Sequence, residues 1–251
     1  MTGDPVPPPH LADRATVIEL RQYTLRPGRR DEFVELFDRE FVESQEEAGM
    51  TVLGQFRDLD DPDRFVWLRG FSDMTARHRA LTAFYGGPVW ARHGPRANNA
   101  MIDSDDVLLL RPSSADAGFA VSAAARPPIG APSPERFVAA TVWSFPPGRD
   151  DGIARIRDGL LPALLETGPP PLGPLVTEPA HNTFPRLPVR TGENVAALFA
   201  SYPDESAYLR HLADVRARPR VRDEILPDIE REQTAAPRQL RLKPTGRSLL
   251  I

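Results

Sequence analysis

The chain has 251 residues, a formal net charge of −4 and a pI near 5.8, so no basic surface dominates. That excludes nucleic acid as a main partner, because phosphate contacts need clustered Lys and Arg. With no cysteine, disulfides, thiolate metal sites, iron–sulfur clusters and a Cys nucleophile are excluded as well. No apolar run is long enough to span a bilayer, and the start is polar without a signal-peptide core. The expectation is a cytoplasmic protein with no membrane partner.

Residues 1–15 carry Pro5, Pro7, Pro8 and Pro9 and read as a disordered leader. Val17 to Leu25 alternates as a strand, with Ile18 and Leu20 on one face and Glu19, Arg21 and Tyr23 on the other. Pro27-Gly28 ends it, and Phe33, Val34, Phe37 and Phe41 recur at helical spacing up to Gly49. Glu40, Glu43, Glu46 and Glu47 fall on that helix and read as a solvated face. Met50 to Asp58 and Arg64 to Phe71 make a hairpin across an Asp/Pro turn. Trp67 and Arg69 share a face of its second strand. Ser72 or Asp73 caps a helix to Tyr85, and a short helical piece covers Pro88 to His93. Gly94-Pro95 reads as irregular, and Val107 to Leu110 as the last strand. Residues 113–135 are rich in Ser, Ala, Pro and Gly, with Phe119, Val121 and Ile129 as the bulky apolar exceptions, and read as a connector.

The same order then returns. Tyr23-Thr24-Leu25-Arg26-Pro27-Gly28-Arg29 has its echo in Trp143-Ser144-Phe145-Pro146-Pro147-Gly148-Arg149, and 147 minus 27 gives an offset of 120. Phe71-Ser72-Asp73 against Tyr202-Pro203-Asp204 gives 202 minus 71, or 131. Leu110-Arg111-Pro112 against Leu242-Lys243-Pro244 gives 242 minus 110, or 132. One supersecondary unit thus occurs twice. In the second copy Val138 to Phe145 is a strand. Pro162 must bend or restart the helix marked by Ile153, Ile156 and Leu160. Residues 172–189 hold a short strand in a long connection, Asn194 to Tyr202 is a strand, and Asp204 caps a helix that Pro219 restarts. Gln239 to Leu242 closes the unit. Arg216, Arg218, Arg220 and Arg222 lie on this helical stretch and read as solvent-facing.

Strand, helix, strand, strand, helix, strand is the ferredoxin-like βαββαβ arrangement, which leaves one sheet face bare. The expected fold is α+β, with tandem units at 16–112 and 136–246 packed sheet to sheet as an intrachain α/β barrel. The alternative is two tethered units that each pair with another chain.

Glu19-Leu20-Arg21-Gln22-Tyr23-Thr24-Leu25-Arg26-Pro27-Gly28, Gly54 to Asp58 leading into Phe65 to Phe71, Tyr85-Gly86-Gly87-Pro88-Val89-Trp90 with His93, and Asp103 to Pro112 fall in a fixed order within residues 16–112. Together they carry a resemblance to the NIPSNAP-domain family. It implies the dimeric α/β-barrel superfamily, whose members include monooxygenases, isomerases, haem enzymes and proteins without known activity.

His93 is the candidate general base, with Tyr85 or Asn98 orienting or polarising an oxygen. Tyr23, Trp67, Phe84 and Trp90 are candidate walls, and a pocket in the first unit, with the second as support, is the expectation. The bland readings are a surface or capping histidine, and aromatics that only fill core. Arg57 and Asp58 with Arg69 either fix a carboxylate or pair across strands. The histidines show neither HxH nor HExxH spacing, so no metal is expected, and a lone axial His93 is the one route to haem. No nucleotide-binding or hydrolase motif occurs. The expectation is an isomerase, cyclase or monooxygenase for an aromatic or polyketide-like molecule, working without a dedicated cofactor. A binding or scaffold protein is the alternative, and a homodimer is compatible with either.

Overall fold

A computed structural model describes residues 15–114 and 125–251. The leader up to residue 14 and the connector's Phe119 and Val121 fall outside them. Eight strands close into one antiparallel barrel in the order β1-β3-β2-β8-β5-β7-β6-β4. The first unit supplies β1 (Val17–Leu25), β2 (Thr51–Asp58), β3 (Arg64–Phe71) and β4 (Met101–Pro112), and the second supplies β5 (Phe137–Ser144), β6 (Leu172–Thr177), β7 (Val195–Tyr202) and β8 (Arg238–Pro244). Within each unit the strand order is the same, and the registers match: Val17 faces Phe71 in the first, Phe137 faces Tyr202 in the second. Two seams join the units. Phe56 to Asp58 pair with Pro244 to Leu242, and Leu110 to Pro112 with Thr177 to Leu175.

The bare sheet faces therefore meet inside the barrel, as the repeat predicts. Ile18, Leu20, Val66 and Leu68 pack there against Val138, Ala140, Ala197 and Leu242, all buried. Burying these faces inside one chain removes the sheet edges that would otherwise seek a partner. The turns after β1 and β5 also match. Gly28 and Gly148 both hold positive φ, 73° and 77°, which explains why glycine comes after proline at both places.

Helices cover the outer faces. In the first unit these are α1 (residues 30–47), α2 (Met74–Gly86) and α3 (Pro88–Ala100); in the second, α4 (residues 151–165), α5 (Glu205–Ala217) and α6 (residues 219–232). Asp73 and Asp204 cap α2 and α5 alike, accepting from the N–H of Ala76 at 2.6 Å and of Ala207 at 2.7 Å.

Several expectations are corrected. The helix from Pro88 does not stop at His93 but runs through Gly94-Pro95 to Ala100, because Gly94, Ala97 and Ala100 continue its buried face. Losing one helical hydrogen bond at Pro95 is outweighed by that burial. Strand β4 starts at Met101, not Val107. Pro162 does not break α4: the turn before it, Ile156–Leu160, widens to a π-helical turn, and Val221–Ile225 does the same ahead of Pro227. The residues after β8 are tied back to the first unit. Thr245 N–H donates to the Gln55 carbonyl at 2.9 Å, and Arg247 bonds the Asp38 carbonyl at 2.7 Å and the Glu43 carboxylate at 2.9 Å. Arg126 of the connector reaches Glu46 and the Arg247 carbonyl. Glu43 and Glu46 are thus anchors for the connector and the tail, not a merely solvated face.

Candidate functional site

Strand alternation sends Glu19, Arg21 and Tyr23 of β1, and Trp67 and Arg69 of β3, towards the helices of the first unit, where all five are buried. Arg77 joins them from α2. Glu19, Arg69 and Arg77 have 0 % exposure and Arg21 has 1 %. One carboxylate serves three guanidinium groups: Glu19 Oε2 accepts from Arg21 Nη1 at 2.6 Å and Arg69 Nε at 2.8 Å, and Oε1 accepts from Arg77 Nε at 2.7 Å. Burial alone would push the Glu19 carboxyl up, but Arg69, Arg21 and Arg77 overcome it and hold it far below the usual carboxylate range. The expected pairing of Arg57 and Asp58 with Arg69 is not what forms. Arg57 pairs with Asp31 at 3.0 Å, and Asp58 accepts the N–H of Asp60 at 2.8 Å.

Beside this cluster the expected aromatics do converge. Tyr23, Trp67, Phe84, Tyr85 and Trp90 bound a cavity of about 30 Å³ together with Phe33, Phe37, Phe41, Gln45, Ala97 and Met101. The rings meet edge to face, Tyr23 to Trp67 at 5.9 Å and Tyr85 to Trp90 at 4.7 Å, so they fill space more than they enclose it. His93 and Asn98 do not belong to this wall. His93 sits at the edge of α3 with Nε2 3.5 Å from Glu40 Oε2 of α1. Asn98 is exposed, because the unbroken helix turns it away from the face that carries Ala97.

The second unit is built differently at the matching places. Where Glu19 faces Arg69 across β1 and β3, Ala139 faces Ala200 across β5 and β7, and where Arg21 faces Trp67, Thr141 faces Leu198. Small side chains replace long charged ones, and a cavity of about 520 Å³ lies between sheet and helices. The expectation places the pocket in the first unit, whereas the larger of these two cavities lies in the second. Its wall is apolar for the most part, with Trp143, Leu160, Leu198, Leu212 and Ile229, and it carries polar groups at Thr141, Tyr202, Tyr208, Arg216, Glu230 and Gln239. A space of that size with few polar groups suits a small ring-containing molecule.

Four of those polar groups belong to two short hydrogen-bonded sets. Tyr202 Oη lies 2.8 Å from His211 Nδ1, and His211 Nε2 lies 3.1 Å from the Leu164 carbonyl. A carbonyl only accepts, so Nε2 carries a proton, which in a neutral ring leaves Nδ1 to accept the Tyr202 hydroxyl. Gly168 makes room for this: a Cβ there would stand 2.1 Å from His211 Cε1. Burial pushes the Tyr202 phenol up to about 12, with Tyr208 adding to the effect. Thr141 Oγ1 and Tyr208 Oη both donate to Gln239 Oε1, at 2.8 and 3.3 Å.

Composition and motif spacing do not reveal this site. Arg216 falls among arginines that read as solvent-facing, and Tyr202, Tyr208 and His211 form no motif of their own. The usable signal lies in the repeat: the offsets that align the two copies set Ala139 on Glu19 and Ala200 on Arg69. Among the described residues no group of three or more His, Asp or Glu is placed to hold a metal ion, and no helix is long and apolar enough to cross a membrane.

The NIPSNAP family model matches residues 18–115. Among solved structures, a proposed monooxygenase of Fusobacterium nucleatum subsp. nucleatum is similar over 93% of this chain and 94% of its own, at 13% identity and a TM-score of 0.58. A proposed monooxygenase of Lactobacillus acidophilus NCFM aligns over 94% of this chain and 99% of its own, at 11% identity and a TM-score of 0.56. An anthrone oxidase-like protein covers 93% of each chain at 11% identity and a TM-score of 0.58. At such identities the likeness shows the shared two-unit barrel and nothing finer. No curated protein matches the chain in sequence.

Proposed function

With residues 18–115 a NIPSNAP-family unit and the larger cavity in the unit after it, we propose that this protein is an acid–base enzyme for a small aromatic or polyketide-like molecule, and that the second unit holds the substrate. The observation that carries the reading is the Tyr202–His211–Leu164 relay at the wall of the 520 Å³ cavity. A substrate proton taken by the Tyr202 oxygen lets the phenolic proton pass to His211 Nδ1. The imidazolium that results has both N–H groups already directed, one to Tyr202 and one to Leu164. The high phenol pKa keeps Tyr202 protonated at neutral pH, so it acts as a relay and not as a standing phenolate. Thr141, Tyr208 and Gln239 offer hydroxyls and an amide to orient a carbonyl or phenol. Removing a proton next to a carbonyl leads to isomerisation, to ring closure or to reaction of the carbanion with oxygen. The monooxygenase and anthrone oxidase-like names of the similar two-unit barrels favour the last of these.

Solvent deuterium exchange at the benzylic methylene of anthrone, measured by NMR under nitrogen, isolates the proton step from any reaction with oxygen. The protein should accelerate exchange, and Tyr202→Phe should lower the acceleration by about 100-fold or more. Exchange no faster than buffer, or unchanged in the variant, would sink the catalytic reading. A non-catalytic binder is the second reading. It is favoured by the largely apolar wall, and would show saturable binding without exchange.

A further inference from the structure

We infer that the first unit holds a second and separate site, a buried pocket for one small monovalent anion of chloride to formate size, set against the arginine triad. The argument begins with charge. Arg21, Arg69 and Arg77 bring three positive charges to a place with no accessible surface, and Glu19 returns one negative charge. The remaining partners are neutral: the Tyr23 hydroxyl on Arg21 Nε at 2.8 Å, Gln45 Oε1 on Arg69 Nη1 at 3.2 Å, and Asn182 Oδ1 and Thr183 Oγ1 on Arg77 Nη1 at 2.9 and 3.2 Å. Two positive charges are left over, and unpaired buried charge is strongly destabilising in a fold with little stability to spare.

The arginines do not line the cavity of about 30 Å³ themselves; they meet it through its wall residues. Four of its wall residues touch an arginine: Tyr23 and Gln45 by hydrogen bond, and Trp67 and Tyr85 through their ring faces, with Arg69 Cζ 5.1 Å and 6.0 Å from the two ring centres. Trp67 is 2 % exposed, and its indole N–H has no hydrogen-bond partner; the same is true of Arg77 Nη2. An unsatisfied buried donor in the wall of a void, beside surplus positive charge, is what an anion would complete. The void has room for one or two water-sized groups, which limits the class to halides and to carboxylates as small as formate. The matching part of the second unit, Ala139, Thr141 and Ala200, has no such charge, so this inference stands apart from the proposal for the larger cavity.

The test is thermal unfolding in sodium chloride, bromide and formate, with sodium sulfate at matched ionic strength as the ion too large to enter. Small anions should raise Tm along a saturating curve that sulfate lacks. Trp67→Phe keeps a ring, removes the N–H, and should raise the half-saturating concentration about tenfold or more. Crystals grown in bromide should show an anomalous peak within hydrogen-bond distance of Trp67 Nε1. A Tm that tracks ionic strength alone, an unchanged response in Trp67→Phe, or no bromide peak in the cavity would each overturn the inference. If Trp67→Phe does not fold, the bromide peak in the wild-type protein decides.

Discussion

The two units share strand order, register, capped helices and even the positive-φ glycine after the first strand, yet the space between sheet and helices is used in opposite ways. The first unit fills it with Glu19, Arg21, Arg69 and Arg77 and leaves about 30 Å³. The second puts Ala139, Thr141 and Ala200 at the matching strand positions and Tyr208 at the matching place on its helix, and leaves about 520 Å³. A duplicated scaffold thus diverges: one half fills the space with a charged core, and the other leaves it open, where the proposed function places a ligand. The barrel interior, packed mainly with aliphatic side chains from both units, tolerates either choice, because each cavity lies outside it.

The sharpest way to break this contrast is to remove the one carboxylate of the first unit's cluster. Glu19→Gln leaves three buried arginines without a counter-charge and should cost about 3–5 kcal/mol, read from denaturant unfolding. Loss of under about 1 kcal/mol would mean that the cluster is not held by that charge. Next in size, Tyr202→Phe should lower deuterium exchange by about 100-fold, equivalent to about 2.7 kcal/mol, while removing one hydrogen bond worth about 1 kcal/mol of stability. Equal losses in both would identify Tyr202 as structural only. Gly168→Ala drives a methyl group into the His211 ring and should destabilise by about 1–3 kcal/mol, with the exchange rate falling alongside.

The smallest effect is a pH dependence. The Tyr202 phenol is raised to about 12 in the fold against 10 for an ordinary tyrosine. Its contribution is therefore complete below pH 10 and is lost as pH rises through 12. At about pH 11 the wild-type protein should have lost about 1.3 kcal/mol more than Tyr202→Phe, relative to about pH 9. Parallel curves would mean that this phenol titrates normally.

Much of the fold is legible in the sequence because periodicity and the repeat both point to it. Period-two alternation assigns Ile18 and Leu20 to one face and Glu19, Arg21 and Tyr23 to the other. Alternation says which side chains share a face, however, and not what covers that face. Nothing in the alternation of Glu19, Arg21 and Arg69 shows that α1 and α2 close over them. Proline misleads for the same reason: Pro95 and Pro162 break a local rule, while burial of Ala97 and Leu160 and a π-helical turn let the helices continue. Tyr23, Trp67, Phe84, Tyr85 and Trp90 do group together, but as neighbours of a small void and not as walls of a large one. The larger site depends on small residues, and an alanine announces nothing until it is set against its counterpart in the other copy.

Fluorescence titration with 1-naphthol as the probe tests the central contrast most directly. Saturable binding is expected in the wild-type protein and in Trp67→Phe, and should disappear in Ala200→Leu, which fills the cavity of the second unit. Binding that survives Ala200→Leu, or that is lost in Trp67→Phe alone, would contradict the assignment of the ligand to that unit.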